Sequence, residues 1–282
     1  MGLDINGIKF LLYARNLGVS FESTATIGRQ SMLIDAAKLR ENLRLFGDDV
    51  SSLNAEKLIG TGFAEGFLRH LGASSVTSFD ASDFEGASVV HDLNQPIPDV
   101  YKAKYSTVFD GGTLEHVFNL PTAIKNCMEM VTVGGHYLSI NPTNNHMGHG
   151  FYQFSPELFY RVFNRQNGFE IERMMIYEET YEADWYEVAD PAIVGERVTL
   201  INDSPCNLLV IAKRIEQREI FTTVPTQSDY AERWESGQRE KAMPEVRAGL
   251  AERLWNRTKR TANSRFSWLD RRPSHFRKIK LP

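Results

Sequence analysis

Asp110, Gly111, Gly112, Glu115 and His116 fall within a single short stretch, Thr107-Val-Phe-Asp-Gly-Gly-Thr-Leu-Glu-His-Val-Phe-Asn-Leu120. The apolar run Thr107-Val108-Phe109 reads as a buried strand that ends on an acid and two glycines. One turn further on stand a carboxylate and an imidazole. An imidazole titrates near neutral pH, so His116 suits a general base. A histidine at a helix start also holds backbone carbonyls, and both readings stand. Glu115, two residues after Thr113, either orients a ligand or caps the turn. A second pair, His146 and His149, lies in Asn144-Asn145-His146-Met147-Gly148-His149-Gly150. Two histidines three apart are the least that a metal pair needs. On a glycine-rich loop they are read as hydrogen-bonding side chains, so no metal ligand set is assigned. His149 remains the alternative base. His136 opens a strand and is read as structural, and Cys127 lies on the apolar stripe of a helix and is read as core.

Positioning these residues requires regular elements around them. The segments Ser-Val-Thr-Ser-Phe-Asp80, Gly-Ala-Ser-Val-Val-His-Asp92 and Tyr-Ser-Thr-Val-Phe-Asp110 each read as a short strand closed by an acid. Helices are expected over 5–16, 35–46 and 64–71. Another runs from Leu120 through Val131 and is broken by Gly134-Gly135. A further helix is capped by Ser155 with Pro156 at its first position. His136–Asn141, Phe169–Tyr177 and Asn207–Arg214 complete the strands. Alternating strands and helices predict an α/β sheet covered on both faces. In such sheets ligands bind outside the carboxyl ends of the strands, at the point where strand order reverses. Three consecutive strands closed by Asp80, Asp92 and Asp110 point to a ligand site there; helix capping alone is the blander reading.

The segments Val-Thr-Ser-Phe-Asp-Ala-Ser-Asp83, Val-Val-His-Asp-Leu-Asn94, Thr107–Asn119 and Val-Gly-Gly-His-Tyr-Leu-Ser-Ile-Asn-Pro142 resemble the class I, Rossmann-like S-adenosylmethionine (SAM)-dependent methyltransferases. The likeness covers roughly residues 21–213. Gly28-Arg29-Gln30 and Gly148–Phe159 resemble a bacterial subgroup associated with polysaccharide and secondary-metabolite biosynthesis. The resemblance implies a mostly parallel, seven-stranded sheet with helices on both faces, plus N-terminal helical and basic C-terminal additions. It also implies SAM as cofactor, with S-adenosylhomocysteine as product. By that likeness Asp80, with Ala81 and Ser82, takes the ribose hydroxyls, and Asp92 with Leu93 takes the adenine. Asp110, Gly111 and Gly112 stand where backbone approaches the methionine end, the glycines leaving room for the ligand. The family's Gly-x-Gly-x-Gly loop after the first strand is missing. Gly28, Arg29 and Gln30 replace it, with Arg29 paired to the cofactor carboxylate, or else residues 60–62 do. Strand quality favours the former, because Asn54–Ile59 is a poor strand.

The acceptor side is read as Asn144, Asn145, Tyr152 and Gln153, beside Glu115, His116 and His149. Aromatic walls and amides there suit a small polar ring. The expected activity is O-methylation of a sugar or sugar-like metabolite, either a small molecule or a glycan. A non-catalytic SAM-binding or scaffold protein, and a nicotinamide-dependent oxidoreductase, are the alternatives. The domain reading is a helical cap over 1–21, a SAM-binding domain over 22–215 with insertions 31–62 and 178–204, and a helical, basic extension over 216–282.

The chain has 282 residues and a net charge of −4. Residues 249–282 hold ten Lys/Arg against two acids, +8, which leaves −12 for residues 1–248. A basic tail on an acidic body is read as folding back on that body or on a second subunit of a homodimer, ahead of nucleic acid or lipid. Two cysteines make no disulfide framework, and no apolar run is long enough to span a membrane. Cytoplasmic residence is the expectation.

Overall fold

A computed structural model describes residues 2–236, 268–270 and 274–282. Its centre is a nine-stranded sheet. In chain order the elements are α1 (Ile5–Asn16), β1 (Ser23–Ile27), α2 (Ala36–Leu45), α3 (Ala55–Ile59), α4 (Glu65–His70), β2 (Ser75–Asp80), β3 (Val89–Val90) and β4 (Tyr105–Asp110). There follow α5 (Leu120–Met130), β5 (Val131–Asn144), α6 (Pro156–Val162), β6 (Phe169–Glu178), β7 (Trp185–Val188), α7 (Pro191–Val194), β8 (Cys206–Arg214), α8 (Ser228–Ser236) and β9 (Phe276–Lys278). The strands lie in the order β9-β7-β6-β8-β5-β4-β1-β2-β3. The pairs joining β3, β2, β1, β4 and β5 are parallel, and those from β5 out to β9 are antiparallel.

Local chemistry explains the helices. Asp4, Asp35 and Asn54 accept backbone N–H groups at 2.8–2.9 Å and so cap α1, α2 and α3. Ser155 caps α6 ahead of Pro156. β1 and β4 are buried almost throughout, as a strand covered on both faces must be. Adjacent side chains then serve opposite cores. Val108 joins Ala123, Cys127 and Phe159 under α5 and α6, while Phe109 joins Phe10, Leu39 and Phe67 under α1, α2 and α4.

Four features depart from the sequence reading. The sheet has nine strands rather than seven, and only half of its pairings are parallel. The third strand is just two residues long and stops at Val90, so Asp92 lies beyond it. Gly134-Gly135 do not break a helix. α5 ends at Met130, and the glycines lie inside β5, where its register against β4 shifts. A Cβ at Gly135 would stand 2.7 Å from the Ser106 carbonyl, which accounts for a glycine there.

The fourth departure concerns the 216–282 extension, which returns a strand to the main sheet. β9 pairs with β7, and Phe276 is 6% exposed in the same core as Val188. Trp255, Phe266 and most of the basic residues of this segment lie outside the described residues. Phe276→Ala is expected to lower the free energy of unfolding by about 2 kcal/mol, the value of one buried phenyl ring. Urea denaturation checks this; an unchanged midpoint would mean that β9 adds nothing to the sheet. Among the described residues no helix is long and apolar enough to cross a membrane.

Candidate active site

Strand order reverses between β1 and β4, and in such sheets ligands bind outside the carboxyl ends of the strands at that point. Gly28 leaves β1 with φ +74° and donates its N–H to the Phe79 carbonyl at 2.7 Å, tying this loop to β2. α3 lies where the competing glycine loop needed a strand, so residues 60–62 follow a helix.

Five of the expected cofactor residues have partners within the protein itself. The Arg29 guanidinium meets Glu65 at 2.7 Å, donates to the Glu85 carbonyl and stacks over Phe63 at 3.9 Å. These contacts hold the guanidinium against α4 and the loop after β2. Gln30 is 2% exposed, and its amide donates to the Ile27 carbonyl at 2.9 Å. It braces the loop. Asp110 is fully buried; Oδ1 accepts the Thr113 N–H at 2.8 Å and Oδ2 accepts the Asn141 amide at 2.7 Å. Gly111 is glycine because a Cβ would lie 2.4 Å from Gln30 Oε1, so the close neighbour there is this side chain. Gly112 takes φ +94° and leaves room for Glu115.

The remaining expected contacts lie at or just beyond the carboxyl ends of β2 and β3. Asp80 ends β2 half-buried, and its Oδ1 accepts the Ser82 N–H at 3.2 Å. Ala81 and Ser82 are exposed beside it. Asp92 is exposed, and hydrogen bonds from the backbone and side chain of Asn94 hold its carboxyl below the usual carboxylate range. Leu93 is 5% exposed and forms an apolar floor next to it.

On the other side of the switch point, the turn after β4 and the loop after β5 converge. Glu115 is 1% exposed. Its Oε2 accepts the Asn141 amide at 3.3 Å, and its Oε1 lies 3.4 Å from His149 Nε2 and 4.0 Å from His116 Nε2. The two imidazole rings, with centroids 5.0 Å apart, face solvent above it. Gly150, at φ +70°, is fixed by the same acid: a Cβ there would meet the Glu115 carbonyl at 2.8 Å. Burial and then the Glu115 charge push the Asp110 carboxyl up to about 7. Burial also raises Glu115. Burial, with the His149 charge as the lesser cause, lowers His116.

The residues named for the acceptor divide. Asn144 and Asn145 donate their amides to Asn202 at 2.7 and 2.9 Å, fastening the loop to the segment before β8. Gln153 accepts the His146 N–H at 2.8 Å, and the Tyr152 hydroxyl donates to the Phe118 carbonyl at 2.7 Å. All four shape the loop. The exposed rim beside the histidines is instead Phe118, Met147 and Phe151. Sequence reasoning missed Asn141, whose amide bridges Asp110 and Glu115. Its one signal was an asparagine placed just before Pro142 at the end of an apolar strand, where a buried amide needs partners.

No family model matches the chain, and no curated protein matches it. Among solved structures it is similar to an N-methyltransferase, NodS, from Bradyrhizobium japonicum, at 11% identity over 75% of this chain and 96% of that one, TM-score 0.43. It is also similar to an S-adenosylmethionine-dependent methyltransferase from Mesorhizobium loti, at 14% identity over 74% and 100%, TM-score 0.42. A third likeness is to a branched-chain polyamine synthase from Thermus thermophilus, at 14% identity over 78% of this chain, TM-score 0.38. The chain spans 58% of the length of that synthase.

Proposed function

We propose that this chain is a SAM-dependent methyltransferase that methylates an oxygen of a small polar acceptor, a sugar or sugar-like metabolite. One observation carries the reading. Asp80 and Asp92 end or follow strands on one side of the switch point, and a buried acid beneath two exposed imidazoles follows the strand on the other. Donor and acceptor would meet between them.

The residues on the first side fit the cofactor. On this reading Asp80 takes the ribose hydroxyls, and Asp92 with Leu93 the adenine. With Arg29 held by Glu65, the methionine end falls to backbone groups near Gly28 and Gly112. Bound SAM supplies an electrophilic methyl on a sulfonium, already a good leaving group. The chain's own task is alignment, exclusion of water and removal of the acceptor's proton. Glu115, His116 and His149 form the pad where the acceptor oxygen docks and is deprotonated. Phe118 and Phe151, in edge-to-face contact at 5.9 Å, give its rim an apolar wall.

Calorimetry with SAM tests the reading. Binding with micromolar affinity, about −8 kcal/mol, is expected, and Asp80→Ala is expected to weaken it at least tenfold, about 1.4 kcal/mol. Binding of NADH in place of SAM would sink the assignment.

A further inference from the structure

The pad described above has a second property. Glu115 Oε1 and the two imidazole nitrogens offer three ligand atoms, all within 4.8 Å of one another. Nitrogen and carboxylate oxygen bind first-row divalent cations at about 2.0–2.2 Å, so ligands of one cation stand roughly 3–4 Å apart. The 3.4 and 4.0 Å separations from Glu115 to His149 and His116 already lie in that range.

We propose that Glu115, His116 and His149 bind one divalent transition-metal cation, of the Mn²⁺, Fe²⁺, Co²⁺ or Zn²⁺ class. Two imidazoles select such cations over Mg²⁺ and Ca²⁺, which prefer all-oxygen sites. Three protein ligands on one side leave positions open on the other, the pattern of catalytic metal sites.

The surroundings fit a ligand set. Glu115 is 1% exposed, and its Oε1 faces two imidazoles that are themselves open to solvent. The Asn141 amide holds the other oxygen from behind, as an outer partner orients a metal-binding carboxylate. Gly112 keeps space beside this carboxylate, since a Cβ there would stand 3.2 Å from Oε1, and Gly150 lets the later loop close on the Glu115 backbone carbonyl and Cγ. His146, though on the same loop with its ring 5.9 Å from that of His149, falls outside the three-atom set.

The inference deepens the methyl-transfer reading and rests on it for the cation's chemical role. An acceptor hydroxyl on the open positions would be acidified. Its O–H bond breaks and the proton leaves to solvent water. The O–C bond forms as the S–C bond breaks, with that electron pair staying on the sulfur of the product.

Titration of Co²⁺ into the untagged full chain, after removal of metals with EDTA, tests the site without any turnover. One equivalent is expected to bind with a visible absorption band. His149→Ala and His116→Ala should each weaken uptake at least tenfold, while His146→Ala should leave it intact. Both histidines of the set are about half exposed, so their loss leaves the fold in place, and circular dichroism verifies this. Absence of stoichiometric uptake, or uptake that survives both substitutions, overturns the proposal. SAM calorimetry on the metal-free protein separates the two readings. SAM binding without Co²⁺ binding sinks the cation alone, and the reverse sinks the methyltransferase alone.

Discussion

Glu115→Gln is expected to lower turnover by about 10²–10⁴-fold, the usual contribution of a proton-transfer group, with SAM affinity unchanged. The side chain is buried at 1% exposure, so a glutamine of the same shape keeps the packing. What it loses is the charge facing His149 at 3.4 Å and His116 at 4.0 Å. A neutral amide neither steadies an imidazolium nor holds a cation, so proton removal from the acceptor fails on either account. Release of S-adenosylhomocysteine, followed over a panel of sugars and sugar phosphates, gives kcat and KM. Asp80→Ala is the contrasting variant, expected to raise the KM for SAM. Normal turnover by Glu115→Gln would reduce this acid to a packing role and move deprotonation elsewhere.

A pH-dependent loss of stability is expected from Asp110. Its carboxyl is pushed up to about 7 by burial and by the Glu115 charge, against an ordinary value of 3.8. Between those values the folded chain holds a proton that the unfolded chain has lost, so stability falls as pH rises. The contribution is complete below pH 3.8 and is lost through about pH 7. A shift of three units corresponds to about 4 kcal/mol. Other carboxylates of the chain impose their own trend, so the informative quantity is the difference from Asp110→Asn, which cannot ionise. Urea denaturation in EDTA at pH 4 and pH 8 should show that difference moving toward the variant by that amount. A constant difference would mean that Asn141 and the Thr113 N–H sustain the charged carboxylate at no cost.

How far the sequence revealed the site depends on the distance over which each contact acts. The strand before Gly28 was legible because threonines and isoleucine have a local preference for the pleated sheet. The helices over 5–16 and 35–46 were equally plain from their apolar spacing. The convergence of Glu115, His116 and His149 was legible only as three candidates, since 33 residues separate His116 from His149 and nothing local brings their loops together. The partners of Arg29 and Gln30 within the protein were hidden for the same reason. Arg29 pairs with Glu65, 36 residues on, and Gln30 fills the place of a Cβ at Gly111. Gly134-Gly135 carried a true backbone signal that suits a helix stop and a strand irregularity alike. β9 was invisible because three residues, Phe276-Arg277-Lys278, have no period to read. Only the waiting edge of β7 makes them a strand.

That pairing has a consequence for how the molecule is made. Arg277 of β9 stands 90 residues after Glu187, its partner in β7. At a synthesis rate of 5–20 residues per second, the ribosome takes roughly 5–18 s to supply it. Through that interval the nascent sheet presents the Trp185–Val188 backbone as an open edge, the kind of surface on which neighbouring chains pair. The vulnerable period of this protein's biogenesis is thus set by the length of chain between these strands. A nascent-chain series arrested at increasing lengths should lose its tendency to cross-pair once the Phe276 segment has cleared the exit tunnel.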